Sequence, residues 1–155
     1  EGMDFLKVDV QGGELQVFEG GRGRLAEAVM VHSEVQFVPF YENQPLFAEL
    51  DTLLREAGFW LHRFEPIHSR VFKPLVVNDD IYAGMSQQLW TDAVYVRPFV
   101  DFPTLDVTSL LKIAVLSHDL YKSYDLTLLA LQRLDEREGT QRHQRYLERL
   151  VSVLT

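Results

Sequence analysis

The feature that most constrains this chain is a pair of alternating apolar runs with a short helical pattern between them. In FLKVDV, residues 5–10, Leu6, Val8 and Val10 fall on one side and Phe5, Lys7 and Asp9 on the other, the period of a strand with one buried face. Gly12 and Gly13 stop the run. Glu14 to Phe18 restart it with Leu15 and Phe18 three apart, a short helix closed by Gly20, Gly21 and Gly23. Val29, Val31, Val35 and Phe37 then alternate with Met30, His32, Glu34 and Gln36 as a second strand that ends at Pro39. Crossovers of this length fit right-handed βαβ units with parallel strands.

Further along, Pro45 sits at a favoured first helical position, and Leu46, Phe47, Leu50, Leu53, Leu54 and Ala57 keep helical spacing until Gly58. Trp60 to Phe64 and Arg70 to Phe72 are short strand-like pieces, either one bent strand or two ends of a hairpin. Lys73 to Gln88 lacks periodicity and reads as a long loop, while Gln88 to Val96 is extended again. After a linker marked by Pro98 and Pro103, helices are predicted over Thr108–Tyr124, Leu126–Glu138 and Gln141–Leu154. Tyr146, Leu147, Leu150, Val151 and Leu154 make an apolar stripe on the last, suited to packing on neighbours or on another chain. This order indicates an α/β fold with a largely parallel sheet over residues 1–100 and a helical extension over 101–155.

Composition narrows the function. With 15 Lys plus Arg against 23 Asp plus Glu, the net charge of -8 lacks the basic field that nucleic acid or an anionic membrane requires. The one basic cluster, Arg142, His143, Arg145 and Arg149, reads as the solvated face of a helix in preference to a phosphate or partner patch. The absence of cysteine excludes disulfides, thiolate catalysis and cysteine-held metals within this chain, and suits a cytoplasmic location. No apolar run approaches the ~20 residues of a membrane-spanning helix, and the first residues lack a signal-peptide pattern. Because the chain opens with Glu1 and enters a strand at once, it reads like a piece of something longer.

Ligands of open α/β sheets bind beyond the carboxyl ends of the strands. That rule selects Asp9, Gln11 and Gly12 from the first strand, Glu14 from the following turn, and Glu34 and Gln36 from the second strand, with His32 one pleat behind. Parallel neighbours would bring Asp9 and Glu34 together, and two close carboxylates split their pKa values, which makes a base useful near neutral pH. They could equally flank a cation, or be neutralised by Lys7 and satisfied by Gln36 and backbone amides. His62, His68 and His118 lack zinc spacing, so no metal is expected at them. Asn78, Asp79 and Asp80 are either ordinary turn residues or holders of a sugar or cation.

FLKVDVQGGELQVFEGG followed by VMVHSEVQFVPFYENQPLFAELDTLLREAGF resembles the FkbM family of S-adenosylmethionine-dependent methyltransferases. Lys7, Asp9, Gly12, Glu14, Gly20, Glu34, Val35, Gly58 and Phe59 match that pattern in order, and QLWTDAVYVRPF is similar to its closing strand, so the resemblance covers residues 4–99. Gln11 stands where the family more often has Glu. The resemblance implies the C-terminal half of a Rossmann-like methyltransferase sheet, mostly parallel with one antiparallel strand near the end, lacking the cofactor-binding half. It implies methyl transfer to a hydroxyl of a sugar or small metabolite, with Asp9, Glu34 and Glu14 as catalytic candidates and Asp9, Gln11 and Gly12 facing the cofactor. Lys73–Gln88, with Tyr82, becomes the candidate lid. Two rivals remain: a non-catalytic α/β scaffold that binds a partner or self-associates through its helical tail, and a metal-dependent sugar transferase using Asp79 and Asp80.

Overall fold

The computed structural model describes residues 2–154, and side chains as far as Ser152, so the side chain of Leu154 in the predicted apolar stripe lies outside the described residues. The chain divides into two compact units, Glu1–Val96 and Arg97–Thr155.

In the first unit the order is β1 (Phe5–Val8), α1 (Glu14–Gly20), α2 (Arg22–Leu25), β2 (Met30–Gln36), α3 (Phe47–Glu56), β3 (Trp60–Phe64), β4 (His68–Arg70) and β5 (Gln87–Val96). The glycine run therefore does more than end a helix, because Gly23 lies inside the short α2. β1 and β2 pair in parallel, with Lys7 opposite His32. β5 then lies antiparallel to β2, with Glu34 opposite Asp92 and Gln36 opposite Trp90. β3 and β4 pair with the other edge of β5, also antiparallel, as two lengths of one bent strand.

The sheet is thus mostly antiparallel, which corrects the expectation of a mostly parallel one: among the described residues only β1 with β2 is a parallel pairing. The reason is placement. The one reversed strand, β5, sits between β2 and β3 instead of at an edge, so every pairing it makes is antiparallel. The alternation of the strands puts Val8, Val31, Val35, Ala93 and Tyr95 on one face, where they meet Phe18 of α1 and Leu50, Leu53 and Leu54 of α3 in a single core. The polar residues Lys7, His32, Glu34, Gln36 and Asp92 share the opposite face by the same register.

The loop after β4 contains a tight turn. Val77 bridges Asp80, with Asn78 and Asp79 at positive φ of 54° and 53°, and the Asp80 carboxylate accepts the Tyr82 N–H at 2.7 Å. Phe72, Leu75, Val76, Ile81, Tyr82 and Met85 around it are all exposed.

In the second unit a 3-10 turn, Phe99–Asp101, leads to α4 (Val107–Asp119), α5 (Tyr124–Glu138) and α6 (Arg142–Leu154). Asp106 caps α4 by accepting the Ser109 N–H at 2.8 Å. α4 stops short of the expected Tyr124 because the chain turns at Lys122, whose φ is 53°. Leu110, Ile113, Ala114, Leu126, Ala130 and Leu134 are buried, and Ser117 meets Thr127 at 2.8 Å between α4 and α5. Gly139 ends α5 in the left-handed conformation. Among the described residues no helix is long and apolar enough to cross a membrane.

Candidate active site at the carboxyl ends of β1 and β2

The turn after β1 is built around one carboxylate. Glu14, the first residue of α1, is only 1% exposed, and it accepts the Val10 N–H at 3.0 Å and the Gly12 N–H at 3.0 and 3.2 Å. An acid at a helix N-terminus meets both unpaired amides and the positive end of the macrodipole. Gln11 and Gly12 take φ of 55° and 108° to wrap that carboxylate. Glycine is required at position 12 for a second reason: an added Cβ would lie 3.1 Å from Gln44 Nε2 and 3.2 Å from Tyr41 Cδ2.

With Glu14 turned inward, Asp9 and Glu34 are the acids left facing out. Ligand atoms of Asp9, Glu14 and Glu34 all lie within 4.8 Å of one another. The Gln11 amide sits between two of them, 2.9 Å from Asp9 Oδ1 and 3.4 Å from Glu34 Oε2, and the Gln36 amide donates to Glu34 Oε1 at 2.5 Å. Among the described residues no lysine or arginine pairs with Asp9 or Glu34. Lys7, the neighbour on β1, bonds instead with Asp92 Oδ2 at 3.5 Å and His32 Nε2 at 3.2 Å, and His32 reaches the same Asp92 oxygen at 2.9 Å.

The carboxyls of Glu34 and Asp92 are shifted in opposite directions. Burial pushes the Glu34 carboxyl above the usual carboxylate range, and the charge on Asp9 pushes it further while the Gln36 amide opposes both. Burial acts to raise the Asp92 carboxyl as well, but the hydrogen bond and charge of His32, with Lys7, hold it below the usual range.

A cavity of about 440 Å³ opens beside Glu34, lined by Gln11, Glu34, Gln36, Phe40, Tyr41, Gln44 and Trp90. The segment after β2 folds back over it because Gln44 Oε1 accepts the N–H groups of Phe40 and Tyr41 at 2.8 and 3.2 Å. Trp90 is fixed by the stacked His68 ring 4.7 Å away, by the edge of Phe40 at 5.7 Å and by the Arg70 guanidinium 5.2 Å from its centroid. Arg70 also lies 5.5 Å from the Tyr82 ring, which ties the long loop to the cavity wall. Two buried polar atoms, Gln36 Oε1 and Gln44 Nε2, have no hydrogen-bond partner.

Asp9, Gln11, Gly12, Glu14, Glu34 and Gln36 therefore lie together, divided into an inward Glu14 and an outward Asp9, Gln11 and Glu34, whereas His32 belongs with Lys7 and Asp92. Phe40, Tyr41, Gln44 and Trp90 were missed. An aromatic pair directly after a strand-ending proline was the available signal for the first two, whereas Trp90 follows only from its antiparallel register with Gln36. Asp79 and Asp80 form the tight turn of the long loop, apart from this acidic group.

An α/β sheet that presents an under-neutralised pair of acids at a strand-end cavity has the layout of a small-molecule enzyme site. Residues 1–61 match the model of the methyltransferase FkbM domain, which points to a methyltransferase and takes in the whole cavity except Trp90. The match stops at Leu61, well short of the closing strand that the sequence resemblance included. No curated protein and no solved structure matches the chain.

Proposed function

We propose that this site belongs to an S-adenosylmethionine-dependent O-methyltransferase of FkbM type whose acceptor is a hydroxyl of a sugar or small metabolite in the cytoplasm. The observation that carries the reading is the pairing of Asp9 with Glu34 beside a cavity, within the segment that matches the FkbM domain. The acidic group fits the cofactor in charge: its oxygens lie within 4.8 Å of one another and are bridged only by amides, a setting that favours a sulfonium and an ammonium. Asp9, Gln11 and Gly12 would hold that cationic part. Bound S-adenosylmethionine supplies an electrophilic methyl group on a positively charged sulfur.

Glu34 lines the cavity, so it would align the acceptor hydroxyl and take up its proton. Glu14 acts at one remove by setting the turn that carries Gln11 and Gly12. On this reading β1 corresponds to the fourth strand of such a domain, and Asp9, Gln11 and Gly12 form part of the cofactor's floor. The long loop after β4 serves as a lid through Tyr82 and Arg70. Radiolabelled methyl transfer by the intact enzyme tests the assignment. Rates at least ~100-fold lower for Asp9→Asn and Glu34→Gln are expected for loss of positioning and proton removal, and unchanged rates would remove both residues from the mechanism.

A further inference from the structure

We infer that the strand-end cavity reads hydroxyl groups of an uncharged polyhydroxylated ring through Gln36 and Gln44. Gln36 is 2% exposed, its Nε2 donates to Glu34, and its Oε1 has no partner. The orientation of Gln44 is fixed by the two backbone N–H groups that its Oε1 accepts, which leaves its buried Nε2 unpaired. A buried polar atom without a partner costs about 1–3 kcal/mol, so each asks for an explanation, and a bound group that supplies the missing hydrogen bond is one. Here one orphan is an acceptor and the other a donor, and both belong to residues that line one cavity. A hydroxyl group can serve either, since it donates and accepts.

The remaining walls fit the same ligand. Phe40 and Tyr41, 48% and 57% exposed, and Trp90 line the cavity with aromatic surface of the kind that packs on the C–H side of a sugar. Asp9, Glu14 and Glu34 repel an anion. A cavity of about 440 Å³ falls within the ~300–1,000 Å³ of small-molecule sites. Identification of this ring as the methyl acceptor rests on the function proposed above, whereas the recognition itself does not.

Saturation-transfer NMR on the full chain, with no methyl donor present, tests the subsite using the methyl glycosides of glucose, galactose and mannose, with glucuronate as the anionic probe. At least one neutral glycoside is expected to receive saturation, and glucuronate to receive less. Gln36→Met removes the orphan acceptor, and Gln44→Glu keeps the oxygen that Phe40 and Tyr41 need while removing the donor; each should weaken binding at least fivefold. Circular dichroism checks that both variants fold, and either one suffices for the comparison. No transfer to any glycoside, equal transfer in both variants, or glucuronate binding at least as well would overturn the inference. Glycoside binding that persists in an intact enzyme unable to transfer methyl groups would overturn the methyltransferase reading and leave this subsite standing.

Discussion

Two acidic side chains, Asp135 in the helical unit and Glu34 in the sheet unit, are placed in opposite company. The Asp135 carboxylate receives the Thr140 hydroxyl, the His143 N–H at 2.8 Å and the His143 ring at 2.7 Å, so it caps α6 from the end of α5. Burial opposes its ionisation, yet those donors hold the carboxyl well below the usual range. Glu34 meets other acids and only amide donors, and its carboxyl is pushed up. One acid is surrounded by what its charge needs and fixes a corner. The other lacks such neighbours, and that shortage leaves it available to a ligand or a proton. The difference teaches that the number of donors, more than burial, decides which way an acid's pKa moves in this chain.

The largest test of that contrast is on rate. Glu34→Gln is expected to slow methyl transfer by the intact enzyme at least ~100-fold, equivalent to about 2.7 kcal/mol of barrier, while thermal melts show no loss of stability because like charges are relieved. Glu14→Gln should do the reverse and destabilise the sheet unit by about 1–3 kcal/mol in urea titrations, since it removes an ionic acceptor from the Val10 and Gly12 amides. Asp135→Asn should weaken the helical unit by about 1–2 kcal/mol, read by its helical dichroism on heating. Because the folded Asp135 carboxyl is depressed, its contribution is full above the unfolded value of about 4 and disappears as pH falls toward the lower folded one. The helical unit of Asp135→Asn should therefore lose less stability than the wild type between neutral pH and pH 2. Gly12→Ala should cost about 1 kcal/mol from the φ of 108° alone, with a larger effect on sugar binding because its methyl presses on Gln44 and Tyr41.

Much of this was legible in the residues. The period of FLKVDV and the alternation around Glu34 located both strands because those signals are local, although β1 ends at Val8, short of the expected Val10, which is exposed. The partner of Lys7 was not legible. Asp9 and Glu34 are near it in the pattern, but His32 and Asp92 lie across the sheet from it, and Asp92 reaches it only because β5 sits beside β2. The same placement hid Trp90 and reversed the expected character of the sheet. Alternation shows which face a side chain takes, yet it is identical for parallel and antiparallel strands, and it says nothing of order. The ranges of α5 and α6 agree with those expected, since helical signals act within a few turns, while the early end of α4 depended on a left-handed Lys122 that composition does not announce.

The central position of β5 also governs how this molecule can be divided and made. The segment matching the methyltransferase domain ends at residue 61, before the strand that covers the outer edge of β2 has been reached. A gene trimmed at that border would encode a piece with Met30 to Gln36 bare along one side, a template for stacking against its own copies. On the ribosome the same edge waits until residue 96 has emerged, so assembly of the sheet is gated by its last strand, and a permuted chain that delivers β5 earlier should close faster.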